Sequence, residues 1–305
     1  MMILEDLKHE MSVRNISRIS GISLSGYYYK PKERHIQRLD PSIKDRIKDI
    51  ASERPTYGYR RVWAVLRNSG TEVNQKTVRN VLKDSNMNLP ASKHRGRTKK
   101  RNLLKPTGPD QLWETDITYI RTESGMTYLF NIKDCFTKEW MGYFYSRTCN
   151  RKDALKSIEN SVMIHPDRYP DAMVDGINLR SDNGDQYTSS YFKEHVKAMG
   201  FIQEFIEKST PEQDGDIESF HMSLKTDYIW VREIKDFSEC ERIIENAFSD
   251  YNNVRPHSSI EYLAPTVFRE RYLYDAGFRS MYDEKLENRR NKKRERNKMS
   301  LRREK

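Results

Sequence analysis

Three successive stretches between Leu112 and Ser146 alternate β-branched and aromatic residues with polar ones, and only short connections separate them. They read as strands over 112–120 (LWETDITYI), 126–136 (MTYLFNIKDCF) and 140–146 (WMGYFYS). Short links between strands predict an antiparallel meander. The pattern then changes. Residues 151–163 have helical spacing, 176–182 (GINLRSD) and 201–206 (FIQEFI) read as strands, and 188–199, 213–230 and 236–253 read as helices. The order β-β-β-α-β-α-β-α-α predicts an α/β domain with a mixed sheet.

The segment before this domain is helical. Residues 12–29 predict a helix, a turn at Gly21 and a second helix. A helix over 42–53 follows, then the block Tyr57-Gly58-Tyr59-Arg60-Arg61. Val62, Val65 and Leu66 repeat at helical spacing, and Gly70 ends that helix. Asn74 is a suitable N-cap for the next, with Val78, Val81 and Leu82 facing inward. Helix, glycine turn, helix is the helix-turn-helix layout, in which the second helix presents its outer residues to a DNA groove. Those residues include Gln75, Lys76 and Arg79, and Arg60 and Arg61 are further candidate DNA contacts. The same pattern is also met in small helical domains with solvated charges.

Charge is unevenly distributed. Residues 1–90 carry net +7, residues 91–105 carry seven basic and no acidic side chains, residues 106–283 carry net −11, and residues 284–305 carry net +7. Basic flanks predict a polyanionic partner. An acidic middle needs another explanation, and bound divalent cations are one candidate. With 36% apolar and 11% aromatic residues the chain has enough core for globular domains. No apolar run approaches the roughly 18–20 residues of a membrane span. The first residues lack the pattern of a secretory signal. The three cysteines include no C-x-x-C pair, and the seven histidines form no ligand-spaced cluster. A cytoplasmic, nucleoid-associated protein is expected. The tail from Glu284 is charged, and Leu286, Met299 and Leu301 are its only large aliphatics, so it is read as having no core to join.

Three acids fit a phosphodiester-cutting site. Such chemistry uses two divalent cations about 3.5–4 Å apart, held by carboxylates contributed from separate elements. Asp116 lies inside the first strand, where an acid is costly unless it faces a site. Asp182 ends the strand 176–181 and leads into Asn183-Gly184, at a strand's C-terminal mouth. Glu218 sits early in a helix, after Gly215 and the capping-box pattern Thr210-Pro211-Glu212-Gln213.

Taken together, TDITYI, SDNGDQYTS, PEQDGDIESFHMSLK and DYNNVRPHSSIEYLAP make residues 112–270 resemble the catalytic core of DDE transposases of the retroviral-integrase type. The 35 residues between Asp182 and Glu218 match that family's spacing. SGYYYK and the Tyr57–Arg61 block are similar to the N-terminal region of the OrfB product of the insertion-sequence-three family. The resemblance implies a ribonuclease-H-like core in which Asp116, Asp182 and Glu218 bind two Mg2+ ions, with Mn2+ able to substitute. It implies DNA strand cleavage and strand transfer with no covalent protein–DNA intermediate. It assigns Lys225, seven residues after Glu218, to terminal DNA phosphates. His221 and His257 are expected in structural or phosphate-binding roles, and Asn252, Arg255 and Pro256 in packing or DNA contact. The implied partners are double-stranded DNA (element terminal repeats and target), further copies of the chain in a synaptic homo-oligomer, and an upstream-frame protein with a helix-turn-helix and leucine zipper.

The expected organisation is a helix-turn-helix region (1–90), a basic linker (91–108), a ribonuclease-H-like catalytic core (109–275) and a basic tail (276–305). Some features depart from the family. Asp214 and Asp216 crowd Glu218 and compete with it as the third ligand, although the spacing and Ser219-Phe220 favour Glu218. The zinc-binding module of retroviral integrases is absent, and no heptad run precedes residue 12, as expected for a downstream frame alone. Two alternatives are a catalytically inactive DNA-binding regulator derived from such an element and a plain ribonuclease-H-type nuclease.

Overall fold

The meander forms as its pattern predicts, in a five-stranded sheet of order β3-β2-β1-β4-β5. The strands are β1 (Leu112–Thr122), β2 (Gly125–Asp134), β3 (Trp140–Ser146), β4 (Asn178–Ser181) and β5 (Ile202–Phe205). β1, β2 and β3 are antiparallel neighbours, and β4 and β5 run parallel to β1. β2 stops two residues earlier than predicted, and the cause is local. One carboxylate oxygen of Asp134 accepts from the backbone of Phe136 and Thr137 and from the Thr137 hydroxyl, which turns the chain out of the sheet. The computed structural model describes residues 11–21, 23–28, 39–89, 105–206 and 215–303. The linker residues 91–104 and the stretch 207–214, with Pro211-Glu212-Gln213-Asp214, lie outside the described residues.

Strand alternation gives the sheet two buried faces. On one, Trp113, Phe130, Ile132 and Leu179 pack with Leu155, Ile158, Phe192 and Val196. The other joins Ile120, Leu129 and Trp140 to Ile217, Phe220, Leu224, Ile244 and Tyr251. The contact between α6 (Arg151–Met163) and β3 is close at one point. A Cβ on Gly142 would lie 2.6 Å from the Ser161 Cα and 2.4 Å from its Oγ. Gly142→Ala therefore has to push helix backbone off the sheet. The expected cost is about 1–3 kcal/mol, read as a lowered denaturation midpoint at unchanged m-value.

The chain divides into two units, Met1–Lys44 and Asp45–Lys305. In the first, α1 (Val13–Ser20) is capped by Ser12 and ends at Gly21, whose φ of 70° is the left-handed conformation expected of a C-terminal glycine. One-turn α2 (Leu24–Tyr27) follows. The division falls inside α3 (Pro41–Glu53), so the helix-turn-helix residues after Lys44 share a unit with the sheet.

Helices α4 (Tyr59–Asn68) and α5 (Gln75–Asp84) bury Val62, Ala64 and Leu66 against Val78, Val81 and Leu82, and Asn74 caps α5 as predicted. Charge pairs and backbone contacts hold this module to the rest of its unit. Arg54 donates two hydrogen bonds to Asp250. Arg67 donates to the Glu261 carbonyl at 2.7 Å and Asn68 to the Tyr262 carbonyl at 3.0 Å.

The C-terminal part departs from expectation. One-turn α7 (Asp185–Thr188) precedes α8 (Ser190–Ala198), the helix expected over 188–199, which starts two residues later because Ser189 is extended and caps it. The helix expected over 213–230 is α9 (Gly215–Leu224) followed by a π-helical turn, Lys225–Ile229. After α10 (Phe237–Asn253) and α11 (Pro265–Tyr274) comes one helix of 28 residues, α12 (Ala276–Arg303). The expected lack of a core for the tail is corrected. Leu286 packs with Phe278 and Tyr282 against Phe136, Phe268 and Tyr272. No helix among the described residues is long and apolar enough to cross a membrane.

Candidate active site

Register and parity assemble the site. Glu114, Asp116 and Ile120 share one face of β1, and Ile120 packs in the cluster that contains the apolar side of α9. Asp116 is thereby turned toward α9. In the parallel register Glu114 lies beside Arg180 of β4, and the two form a buried ion pair at 3.1 Å that continues to Glu204 at 3.0 Å. Two residues beyond Arg180 the alternation brings Asp182 to the same side, just past the strand end. Glu218 stands exposed on the first turn of α9.

Asp116 lies in the electrostatic field of both other acids. Burial, with the charges of Asp182, Glu218 and Glu114, pushes the Asp116 carboxyl up to about 7, against an opposing hydrogen bond from Ile117 N–H. Asp116 Oδ1 accepts from that N–H at 2.8 Å, and Asp182 Oδ1 accepts from Gly184 N–H at 2.9 Å. Each aspartate is thus tethered through one oxygen. Among the described residues no three His, Cys, Asp or Glu side chains stand close enough together, as placed, to hold a metal ion. The donor chemistry nevertheless fits a hard divalent cation: three carboxylates, whose mutual repulsion a cation would relieve.

Asn131 and His221 complete the immediate surroundings of Asp116. Asn131 is paired with Asp116 across β1 and β2. Its amide donates to His221 Nε2 at 3.0 Å and to the Leu129 carbonyl at 3.2 Å. That places the ring proton on Nδ1, which lies 3.4 Å from Asp116 Oδ2. Burial, with the nearby charges of Lys225 and Lys133, lowers the His221 pKa to about 3, so the contact to Asp116 is made by neutral imidazole. Asn131→Ala leaves a buried ring nitrogen without its donor. The expected loss is about 1–3 kcal/mol, measured by chemical denaturation. Sequence reading misses Asn131, because only the strand register shows that it faces Asp116.

Of the two aspartates that crowd Glu218, Asp214 lies outside the described residues and Asp216 is engaged by basic neighbours. Lys138 Nζ lies 3.1 Å from Asp216 Oδ2, and Lys133 Nζ donates to the Asp216 carbonyl at 2.9 Å. Glu218 is among the groups that raise Asp116. Lys225 begins the π-helical turn, half-buried. Burial lowers its pKa, and the Asp116 charge opposes that shift.

Other sequence candidates are placed as follows. Arg60, Lys76 and Arg79 are exposed. The guanidiniums of Arg60 and Arg79 both lie over the ring of one residue, Tyr59, at 5.3 and 5.8 Å from its centre, which gathers them into a patch. Arg61, expected at DNA, is turned instead toward Asp227, 3.4 Å away. Asn252 pairs with both backbone groups of Trp140, at 2.9 and 2.8 Å, on edge strand β3. Buried Arg255 lies 2.8 Å from Asp227, and His257 packs edge-on to Tyr251. The late motif is thus a packing element.

Comparison with known proteins agrees with this architecture. Residues 38–95 match the HTH-like domain family, and residues 106–211 and 199–265 match two integrase core domain families. A protein of insertion element IS407 from Burkholderia multivorans is 24% identical over 91% of this chain and 97% of its own length. The transposase for insertion sequence element IS904 from Lactococcus lactis is 25% identical, covering 79% of this chain and 98% of that one. Among solved structures, the HTLV-2 integrase catalytic core domain in complex with magnesium aligns with a TM-score of 0.42 at 12% identity, over 54% of this chain and 99% of that one.

Proposed function

We propose, for a chain that belongs to the DDE transposases of the insertion-sequence-three family, that Asp116, Asp182 and Glu218 are the acids with which it cleaves and joins DNA strands. One observation carries this reading. Asp116 stands half-buried on the α9-facing side of β1, in the combined field of Asp182 and Glu218. Such a cluster fits two Mg2+ ions, with Mn2+ an acceptable substitute of the same oxygen preference. The chemistry that bound ions supply there is a lower pKa for the attacking oxygen and neutralised charge at the phosphorus.

The chain's own side chains do the positioning. Ile117 N–H and Gly184 N–H fix one oxygen of each aspartate, and His221, held by Asn131, orients the other oxygen of Asp116. Exposed Glu218 closes from the first turn of α9. Lys225 brings positive charge to the same end for the terminal phosphates. Arg60, Lys76 and Arg79 contact the element end. Residues 109–275 then act as the catalytic core, 1–90 as the end-reading region and 91–108 as the connection. A synaptic complex of two ends calls for a homo-oligomer, joined by the upstream-frame protein where one is made.

The test is a labelled duplex carrying the element's end, incubated with purified protein and Mg2+. A nick at the terminal phosphodiester that leaves a 3′-hydroxyl, followed by joined product, is expected. Specific retention of the duplex with no cleavage in any divalent cation would instead make the chain a regulator.

A further inference from the structure

We propose that α12 is a second DNA-binding element, which grips the phosphate backbone of duplex DNA without reading its sequence. The helix lies beyond the regions that match known domain families, which end at residue 265. Its root is firmly built: Phe278, Tyr282 and Leu286 sit in an aromatic cluster, and Glu261 pairs with Lys285 at 2.5 Å and with Arg289 at 3.4 Å. Past this root the composition changes. Residues 288–305 hold ten Lys and Arg against two Glu. At 100° per residue the basic positions 290, 292, 293, 294, 296 and 298 spread over about two thirds of the helix circumference, and no apolar stripe accompanies them. A protein partner would be met by such a stripe.

Like charges four residues apart, Arg289/Lys293, Arg290/Arg294, Lys292/Arg296 and Arg294/Lys298, oppose the helix they stand on. A polyanion that touches several sides removes that opposition. Duplex DNA is the occupant that fits. Its major groove, about 12 Å wide, admits a helix. The 28 residues of α12 extend about 42 Å, more than one turn of the duplex.

The placement of the root favours the same occupant. Glu261 and Tyr262, with φ of 60° and 59°, are both left-handed, an uncommon state for two successive non-glycine residues. Their carbonyls hold Arg67 and Asn68 of the helix-turn-helix module, and the Tyr262 ring meets Trp63 edge-on at 6.0 Å. The carboxylate of the same Glu261 holds α12. One strained loop therefore joins the end-reading module to the basic helix. The proposal adds a DNA contact to the function above, and neither cleavage nor metal enters its test.

The experiment uses the full chain in EDTA and a duplex that lacks element ends, with affinity followed across salt concentration. In the variant, Arg290, Lys292, Lys293, Arg294, Arg296 and Lys298 are each replaced by Gln, leaving the root untouched. Affinity for this duplex is expected to fall about tenfold or more, and the log–log salt slope to become shallower by about 0.9 for each phosphate that is no longer neutralised. Arg290→Lys, Arg294→Lys and Arg296→Lys together are expected to keep full affinity, since a phosphate grip reads charge. Helicity by circular dichroism shows whether the Gln variant keeps its fold; if it does not, a variant with Lys292→Gln, Lys293→Gln and Lys298→Gln alone carries the test, with a smaller loss of affinity and slope in the same direction expected and no change in either overturning the proposal. Unchanged affinity and slope in a folded Gln variant would overturn the proposal. So would a drop in affinity in the Lys variant, or a greater drop for single-stranded RNA than for duplex DNA.

Discussion

Asp116→Asn is expected to lower strand cleavage by about 10³-fold or more, while gel-shift affinity for the element end stays near that of the parent chain. The substitution keeps the size of the side chain and a group able to accept from Ile117 N–H. It removes the negative charge of the acid whose carboxyl is pushed up by burial and by the other two. In the proposed reading binding rests elsewhere, on Arg60, Lys76 and Arg79, so cleavage and binding are expected to separate. Asp216→Asn is the informative companion. Asp216 is exposed and is paired with Lys138. An ion pair of that kind contributes about 0–1 kcal/mol, so this variant is expected to cut DNA at close to the parent rate. Equal losses in the two variants would mean that Asp216 shares the site.

Asp227→Ala is expected to cost about 3–5 kcal/mol and to lower the melting temperature by on the order of 10 °C. Asp227 accepts from Arg255 Nε at 2.8 Å and faces Arg61 at 3.4 Å. Arg255 is 2% exposed. Without Asp227 its guanidinium is a buried cation with no counter-charge. Arg61 is more open and its contact is longer, so Arg61→Ala is expected to cost about 1 kcal/mol or less. A larger effect from Arg61→Ala than from Asp227→Ala would show that docking of the helix-turn-helix module, and not the buried pair, dominates. Thermal denaturation of the three proteins side by side separates these outcomes.

Much of the fold is legible in the sequence because the strands of the meander carry strict alternation. The same parity places Asp116 on the face of Ile120. The capped and glycine-terminated helices at 59–84 are equally local signals. What escapes is set by tertiary register. Asn131 meets His221 only because β2 pairs with β1 at one particular offset. Arg61 reads as one half of a basic pair with Arg60, yet helical geometry turns adjacent residues about 100° apart, and Asp227 lies on the inner side. The tail looks coreless because its anchors, Phe278 and Tyr282, precede the charged run and give no hint in the sequence of the aromatic cluster they join. The π-helical turn at Lys225 has no sequence signal that a helical periodicity scan detects.

Whether three separated carboxylates form one cation site is tested most directly by anomalous diffraction from crystals of the full chain grown with an element-end duplex and Mn2+. The expected result is anomalous density in contact with Asp116, Asp182 and Glu218 together, and its disappearance from that place in Asp116→Asn. Density held by Asp214 or Asp216 with Glu218 turned away, or none near Asp116, would contradict it.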